Sequence, residues 1–134
     1  MVFTDDKRCF FCGERNPHGF SLRFQSNGEW TETRVVLPWY LQGFSGVAHG
    51  GIVAALLDEV MSHSVKRAGI FAVTGTLQVK YLKPCPTERI LTIRGKVGER
   101  VGRIVEAFGE ILYDGERVAE GRGTFVVPKS RSDA

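Results

Sequence analysis

The stretch that most constrains the fold runs from Gly51 to Arg67, where Ile52, Leu56 and Val60 lie on one helical row and Val53, Leu57 and Met61 on another. A helix that is apolar nearly all round must be enclosed by protein. Lys66 and Arg67 in the last turn suit the helix dipole, and Gly69 can supply a left-handed cap. On either side the hydrophobic period changes to two. Phe20 to Phe24, Thr31 to Leu37, Ala72 to Leu82, Arg89 to Val97, Gly102 to Tyr113 and Arg117 to Val127 read as strands. Turn signals separate them: Asn27-Gly28, Lys83-Pro84-Cys85-Pro86, Gly98-Glu99-Arg100 and Asp114-Gly115. One apolar helix among about six strands predicts an α+β fold, a curved antiparallel sheet wrapped round a single central helix. Long edge strands in such a sheet need partners, so a homodimer is expected, with further assembly to a dimer of dimers open.

The chain has 134 residues, 43% hydrophobic and 25% charged, which fits one globular domain. Residues 1–19 read as a Cys- and Gly-rich amino-terminal segment packed on the domain, 20–127 as the domain itself, and 128–134 as a disordered tail. The net charge of +3, from 18 basic and 15 acidic residues, is too mild and too scattered for a nucleic-acid surface. No apolar run approaches the ~20 residues that cross a bilayer, and the amino terminus lacks a signal-peptide core, so no membrane partner and a cytoplasmic location are expected.

Cys9, Cys12 and Cys85 are odd in number and too sparse for a disulfide framework, which suits a reducing compartment. Cys9-x-x-Cys12 with His18 could supply three zinc ligands, and Cys85 a fourth. A structural zinc site usually shows two close ligand pairs, and this chain shows one, so neither a metal nor another cofactor is expected.

The chemistry concentrates between His49 and Met61. A helix that opens at Gly50-Gly51 leaves backbone N–H groups aimed outward, an oxyanion site. Asp58 and Glu59 then interrupt apolar helix, and buried acids are paired, hydrogen-bonded or used. Free donors and a sheltered carboxylate in one segment suggest acyl transfer. Ala54, Ala55 and Ser62 are small and leave room beside Asp58, whereas Glu59 is rotated by ~100° and free to bind an Arg or His63. His49, just outside the helix, suits either proton transfer or the bonding of nearby backbone. Thr74 and Thr76 share a strand parity that puts both on the helix side if either is. Trp39, Tyr40 and Phe44 fit core packing better than the lining of a tunnel.

The residues that carry a family likeness are His49-Gly50-Gly51, Asp58-Glu59, Tyr81-Leu82-Lys83-Pro84 and Ala119-Glu120-Gly121, joined by Cys-Phe-Phe-Cys-Gly from Cys9 and by Asn16-Pro17-His18-Gly19-Phe20. From Cys9 to Val127 the chain resembles the hot-dog-fold acyl-CoA thioesterases, in the PaaI-like branch near the 4-hydroxybenzoyl-CoA thioesterases. The resemblance implies hydrolysis of an acyl-CoA thioester to free acid and CoA, without metal or covalent cofactor, at a site shared between two subunits. It implies that the Gly50 N–H polarises the thioester carbonyl, that Asp58 reaches it from the other subunit to activate water or attack, and that Thr74 helps hold the water. Relatives often carry an Asn where this chain has Gly43, and the neighbouring Gln42 offers the same amide on a longer arm. Gly51 and Glu59 would border the substrate, and Arg100 and Arg103, with Arg89 and Lys96 behind them, are candidates for the CoA phosphates. Two other readings fit the same fold: a dehydratase in which His49 moves protons, and a non-catalytic acyl-CoA binding module.

Overall fold

A computed structural model describes residues 3–129. The expected tail therefore lies almost wholly outside the described residues. The elements are β1 (Gln25–Asn27), β2 (Trp30–Val36), a short 3-10 turn at Trp39–Leu41, α1 (Gly50–Arg67), β3 (Val73–Tyr81), β4 (Ile90–Val101), β5 (Ile104–Tyr113) and β6 (Glu116–Val126). The six strands form one antiparallel sheet in the order β1-β2-β4-β5-β6-β3. Since β2 and β3 sit at opposite ends of the run β2-β4-β5-β6-β3, the α1 connection must cross the sheet, and the sheet curls around it. This is the hot-dog arrangement.

The seat of the helix explains how close that wrapping is. Val53, Leu56, Leu57, Val60, Met61 and Val65 are all buried on the concave face, each worth roughly 1.5–3 kcal/mol of transfer free energy. Beneath them the register aligns Gly95 of β4 with Gly109 of β5 and Gly121 of β6, a row of three residues without side chains. A Cβ on Gly95 would lie 2.9 Å from the Val60 carbonyl oxygen, and one on Gly109 would lie 3.2 Å from Met61 Cγ. The helix backbone thus rests almost directly on the strands. At its far end a Schellman closure forms, with Gly69 N–H donating to Lys66 O at 3.0 Å and Ile70 N–H to Val65 O at 3.3 Å.

Four sequence expectations change. Phe20 to Phe24 is not a strand: Phe20 and Leu22 donate their N–H groups to the carbonyls of Phe10 and Phe11, and Ser21 has φ +51°, so pairing with β2 begins only at Gln25. The expected turn at Gly98-Glu99-Arg100 is instead a bulge, where the β4 register shifts between Val97 and Arg100, and the chain reverses at Gly102-Arg103. Thr74 and Thr76 do not share a face, because a second bulge at Gly75 offsets them: Thr74 pairs with the buried Phe125, Thr76 with Thr124. Trp39, Tyr40 and Phe44 are 64%, 68% and 85% exposed rather than packed in the core. The Asp114-Gly115 turn forms as read, with φ +52° and +78°. Among the described residues no helix is long and apolar enough to cross a membrane.

The glycine row makes a graded prediction. Gly95→Ala, which meets helix backbone that cannot rotate away, should cost about 1–3 kcal/mol. Gly121→Ala, whose Cβ meets only side-chain atoms at 3.4 Å, should cost under about 1 kcal/mol. Urea midpoints at unchanged m-value measure both; equal losses would show that α1 is not held at the Gly95 contact.

Candidate functional site

The site is built at the two ends of one helix–strand pair. At the amino end of α1, His49 is the cap: its Nδ1 accepts the Gly51 N–H at 2.9 Å, while its carbonyl accepts from Ile52 and Val53 at 2.9 and 3.1 Å. The Gly50 carbonyl accepts the Tyr81 hydroxyl at 2.7 Å. Both ends of the Gly50–Gly51 peptide are therefore pinned, one by each of two side chains. The preceding N–H, that of Gly50, has no protein partner among the described residues. It belongs to a peptide whose carbonyl accepts two hydrogen bonds, which polarises it as a donor. Gly51, by contrast, spends its N–H on His49 and offers a ligand none.

The loop that delivers His49 is equally fixed. His49 N–H donates to Leu41 O at 2.9 Å and Ala48 N–H to Cys85 O at 2.7 Å. Gln42 Oε1 accepts the Gly46 N–H at 3.1 Å, which orients the amide and leaves its NH₂ as the group open to a ligand. Burial pushes the Cys85 thiol up to about 11, so it is inert under this loop. A cleft of 340 Å³, bounded by Ala48, Val53, Tyr81 and Pro84, opens beside the helix start.

Two turns on, Asp58 is half-buried, and its Oδ1 accepts the Thr74 hydroxyl at 2.7 Å. The Gly75 bulge is what turns Thr74 toward the helix; Thr76 bonds Thr124 Oγ1 at 2.6 Å instead. A glycine inside a strand pattern was the one sequence signal for this. A cleft of 790 Å³ begins one turn beyond Asp58, lined by Ser62, Ile70, Ala72 and Val73 together with Cys9, Glu59 and His63.

Glu59 is placed elsewhere. Its carboxylate meets His63 Nε2 at 3.3 Å and Cys9 Sγ at 3.9 Å, on the side of α1 covered by the amino-terminal segment. Burial first, and then the Glu59 charge, pushes the neighbouring Cys12 thiol far above the usual range. His18 and Cys85 do not join Cys9 and Cys12. Arg100 and Arg103 are exposed at the β4–β5 turn, where each Nε bonds backbone, to Gly102 O at 3.0 Å and Val127 O at 2.8 Å. No sequence signal points to Glu110, an acid 9% exposed on the outer sheet face, held by Arg94 Nε at 2.6 Å and Arg117 Nε at 3.2 Å. Two guanidiniums neutralise it, a structural use.

The chain's residues 45–120, from the loop before α1 to the middle of β6, match the profile of the thioesterase superfamily. A solved thioesterase superfamily protein superimposes with TM-score 0.83 at 28% identity, covering 90% of this chain, which spans 63% of that protein's length. A phenylacetic acid degradation-related protein of Ralstonia eutropha JMP134 superimposes at TM-score 0.72 and 23% identity, covering 79% of this chain and 84% of its own. A thioesterase candidate of Streptococcus pneumoniae TIGR4, solved with coenzyme A, gives 0.74 at 22% identity, over 83% of this chain and 91% of that one. With the profile spanning more than half of the sequence and its matched region containing Gly50, Asp58 and Thr74, the chain belongs to the thioesterase superfamily, with the hot-dog fold.

Proposed function

We propose that this protein hydrolyses an acyl-CoA thioester to the free acid and CoA at a site completed by a second copy of the chain. The observation that carries the reading is the antiparallel run of β3 along α1, which brings Tyr81 to Gly50 at one end and Thr74 to Asp58 at the other. Eight residues of helix separate the free Gly50 N–H from Asp58, about 12 Å, whereas a reacting carbonyl needs both within ~3–3.5 Å. One chain cannot do this. β3 is the open edge of the sheet and almost wholly exposed. Two β3 strands paired antiparallel about their middle, near Leu77 and Gln78, exchange the two ends, so that Asp58 of one copy faces Gly50 of the other.

In that arrangement Thr74 holds Asp58 Oδ1, and Oδ2 takes a proton from water as the water oxygen attacks the thioester carbon. The oxyanion forms on the Gly50 N–H, reinforced by the helix dipole and by the Gln42 NH₂. Collapse breaks the C–S bond, and the proton on Asp58 passes to the departing CoA thiolate. Arg100 and Arg103 take CoA phosphates: the register row Arg100, Val105, Phe125, Thr74 sets them about 14 Å from Thr74 along the sheet, room for an extended pantetheine arm. The coenzyme A held by the Streptococcus pneumoniae protein agrees with this ligand class. A dehydratase would need His49 for proton transfer, and its Nδ1 is already committed to the helix cap.

Thiol release from a panel of acyl-CoA thioesters is the assay. Asp58→Asn should lower turnover at least about a hundredfold with the dimer intact. Gly50→Pro removes the N–H at the first helical position, where proline is tolerated, and should cost about 10²- to 10³-fold with little loss of stability. An equimolar mixture of these two dead variants, allowed to exchange subunits, should regain roughly a quarter of wild-type activity, because about half of the dimers are then mixed and each of those has one of its two composite sites intact. No recovery on mixing would rule out a shared site, and firm coenzyme A binding without turnover in the wild type would identify a binding module instead.

His49→Ala supplies the second prediction. It should lower stability by about 1 kcal/mol through the lost cap while hydrolysis persists. Complete loss of activity in a folded variant would return His49 to the chemistry.

A further inference from the structure

The amino-terminal Cys9-Phe10-Phe11-Cys12 turn and the outward face of α1 bring together three groups that the proposed hydrolysis leaves unused. The ligand atoms of Cys9, Cys12 and Glu59 all lie within 4.8 Å of one another. Cys9 Sγ stands 3.9 Å from both Glu59 oxygens. Zinc with Zn–S near 2.3 Å and Zn–O near 2.1 Å sets neighbouring sulfur and oxygen ligands about 3.6 Å apart, so the Cys9–Glu59 edge needs to contract by only a few tenths of an ångström. His63, one helical turn after Glu59 and on the same side, places Nε2 3.3 Å from Glu59 Oε2. That is the edge length expected between tetrahedral nitrogen and oxygen ligands.

The backbone around the two cysteines is already folded for the task. Gly13 N–H closes the turn onto Cys9 O at 2.9 Å, so tightly that a Cβ on Gly13 would fall 2.2 Å from Cys9 N. Arg15 N–H returns to Lys7 O at 2.8 Å, and the Asn16 amide donates to Arg8 O at 3.1 Å. Between the cysteines, Phe11 is buried in the core and anchors the turn to the domain. His63 is stacked on Phe24 with ring centroids 4.0 Å apart at 16°, which fixes its plane. The side chains of Glu59 and His63 are only 12% and 20% exposed, while Cys9 faces solvent and gives an ion a way in.

We propose that Cys9, Cys12 and Glu59 bind one zinc ion, with His63 Nε2 as the donor nearest the fourth position. Two thiolates with a carboxylate and an imidazole select zinc over magnesium or calcium, which take oxygen alone. On binding, both thiol protons leave to solvent. The ion clamps the amino-terminal segment to α1 one residue from Asp58, on a different face of the helix, and so holds the helix face rather than the substrate. His18 and Cys85, the other ligands that the sequence offered, have no part in it.

Protein purified with its thiols reduced should carry about one zinc per chain, counted by elemental analysis. Cobalt titrated into the metal-free protein should give thiolate-to-cobalt charge-transfer absorption. Chelation should lower Tm by several degrees. Cys12→Ser should abolish the cobalt absorption, Glu59→Gln should weaken binding at least about tenfold, and His18→Ala should leave it unchanged. Should Cys12→Ser fail to fold, the wild-type titration decides alone: no cobalt–thiolate absorption with all thiols shown reduced overturns the proposal, as does stoichiometric metal retained in both Cys12→Ser and Glu59→Gln. Metal content is read without substrate, so this result and the hydrolysis assay can fail independently.

Discussion

The contact on which the rest depends is the approach of the α1 backbone to the sheet across Gly95, Gly109 and Gly121. A side chain at Gly95 would lift the helix, because the Val60 carbonyl oxygen is 2.9 Å from where its Cβ would stand. Lifting it would open the buried row of Leu56, Leu57, Val60 and Met61, and it would also move every polar group the helix carries. Tyr81 and Thr74 reach α1 from β3 with hydrogen bonds of 2.7 Å at both ends, and such distances tolerate only a few tenths of an ångström of drift. Stability and site geometry therefore share one cause.

The same helix separates two chemistries by rotation. Asp58 and Glu59 differ by one residue and about 100°. One carboxylate meets the hydroxyl of Thr74 on the open sheet edge, the other meets Cys9 and His63 under the amino-terminal segment. Neither acid can take the other's partners without turning the helix, and the glycine row prevents that. An acidic pair that looks redundant in sequence is thus divided between two surfaces by helix geometry alone.

How much was legible follows from the range of each interaction. Local signals were read well: the α1 span, the Gly69 closure and the Asp114-Gly115 turn each rest on residues within one or two turns of themselves. The likeness gave Asp58 and Thr74 separate roles toward a water, and their direct hydrogen bond was not read from the sequence. What was missed depends on partners far along the chain. Phe20 to Phe24 alternates like a strand, but its N–H groups are claimed by Phe10 and Phe11. The β4–β5 reversal was put at Gly98 because a glycine beside two polar residues looks like a turn, whereas Gly98 is there to clear the Phe108 ring, 2.6 Å from its virtual Cβ. The Gly75 bulge reversed the facing of Thr76, and the partnership of Glu59 with Cys9 spans fifty residues.

The exposed parts of this chain argue for its incompleteness. An edge strand of nine residues with Leu77 and Tyr81 open to solvent, and a loop displaying Trp39, Tyr40 and Phe44, are costly surfaces for a lone protomer. The polar groups on the same side tell the same story in different terms. His49 and Tyr81 pin the Gly50–Gly51 peptide at both ends, yet the adjacent N–H is left bare while those of Val47, Ala48 and His49 just before it are matched. An acid held by a single hydroxyl stands on the same edge about 12 Å away, too far to meet it within one chain. Leu77 and Tyr81, the Gly50 N–H beside Tyr81 and the carboxylate of Asp58 beside Thr74 all lie on or next to β3, whose outer edge is unpaired, and the proposed two-fold axis at that edge would answer all three at once.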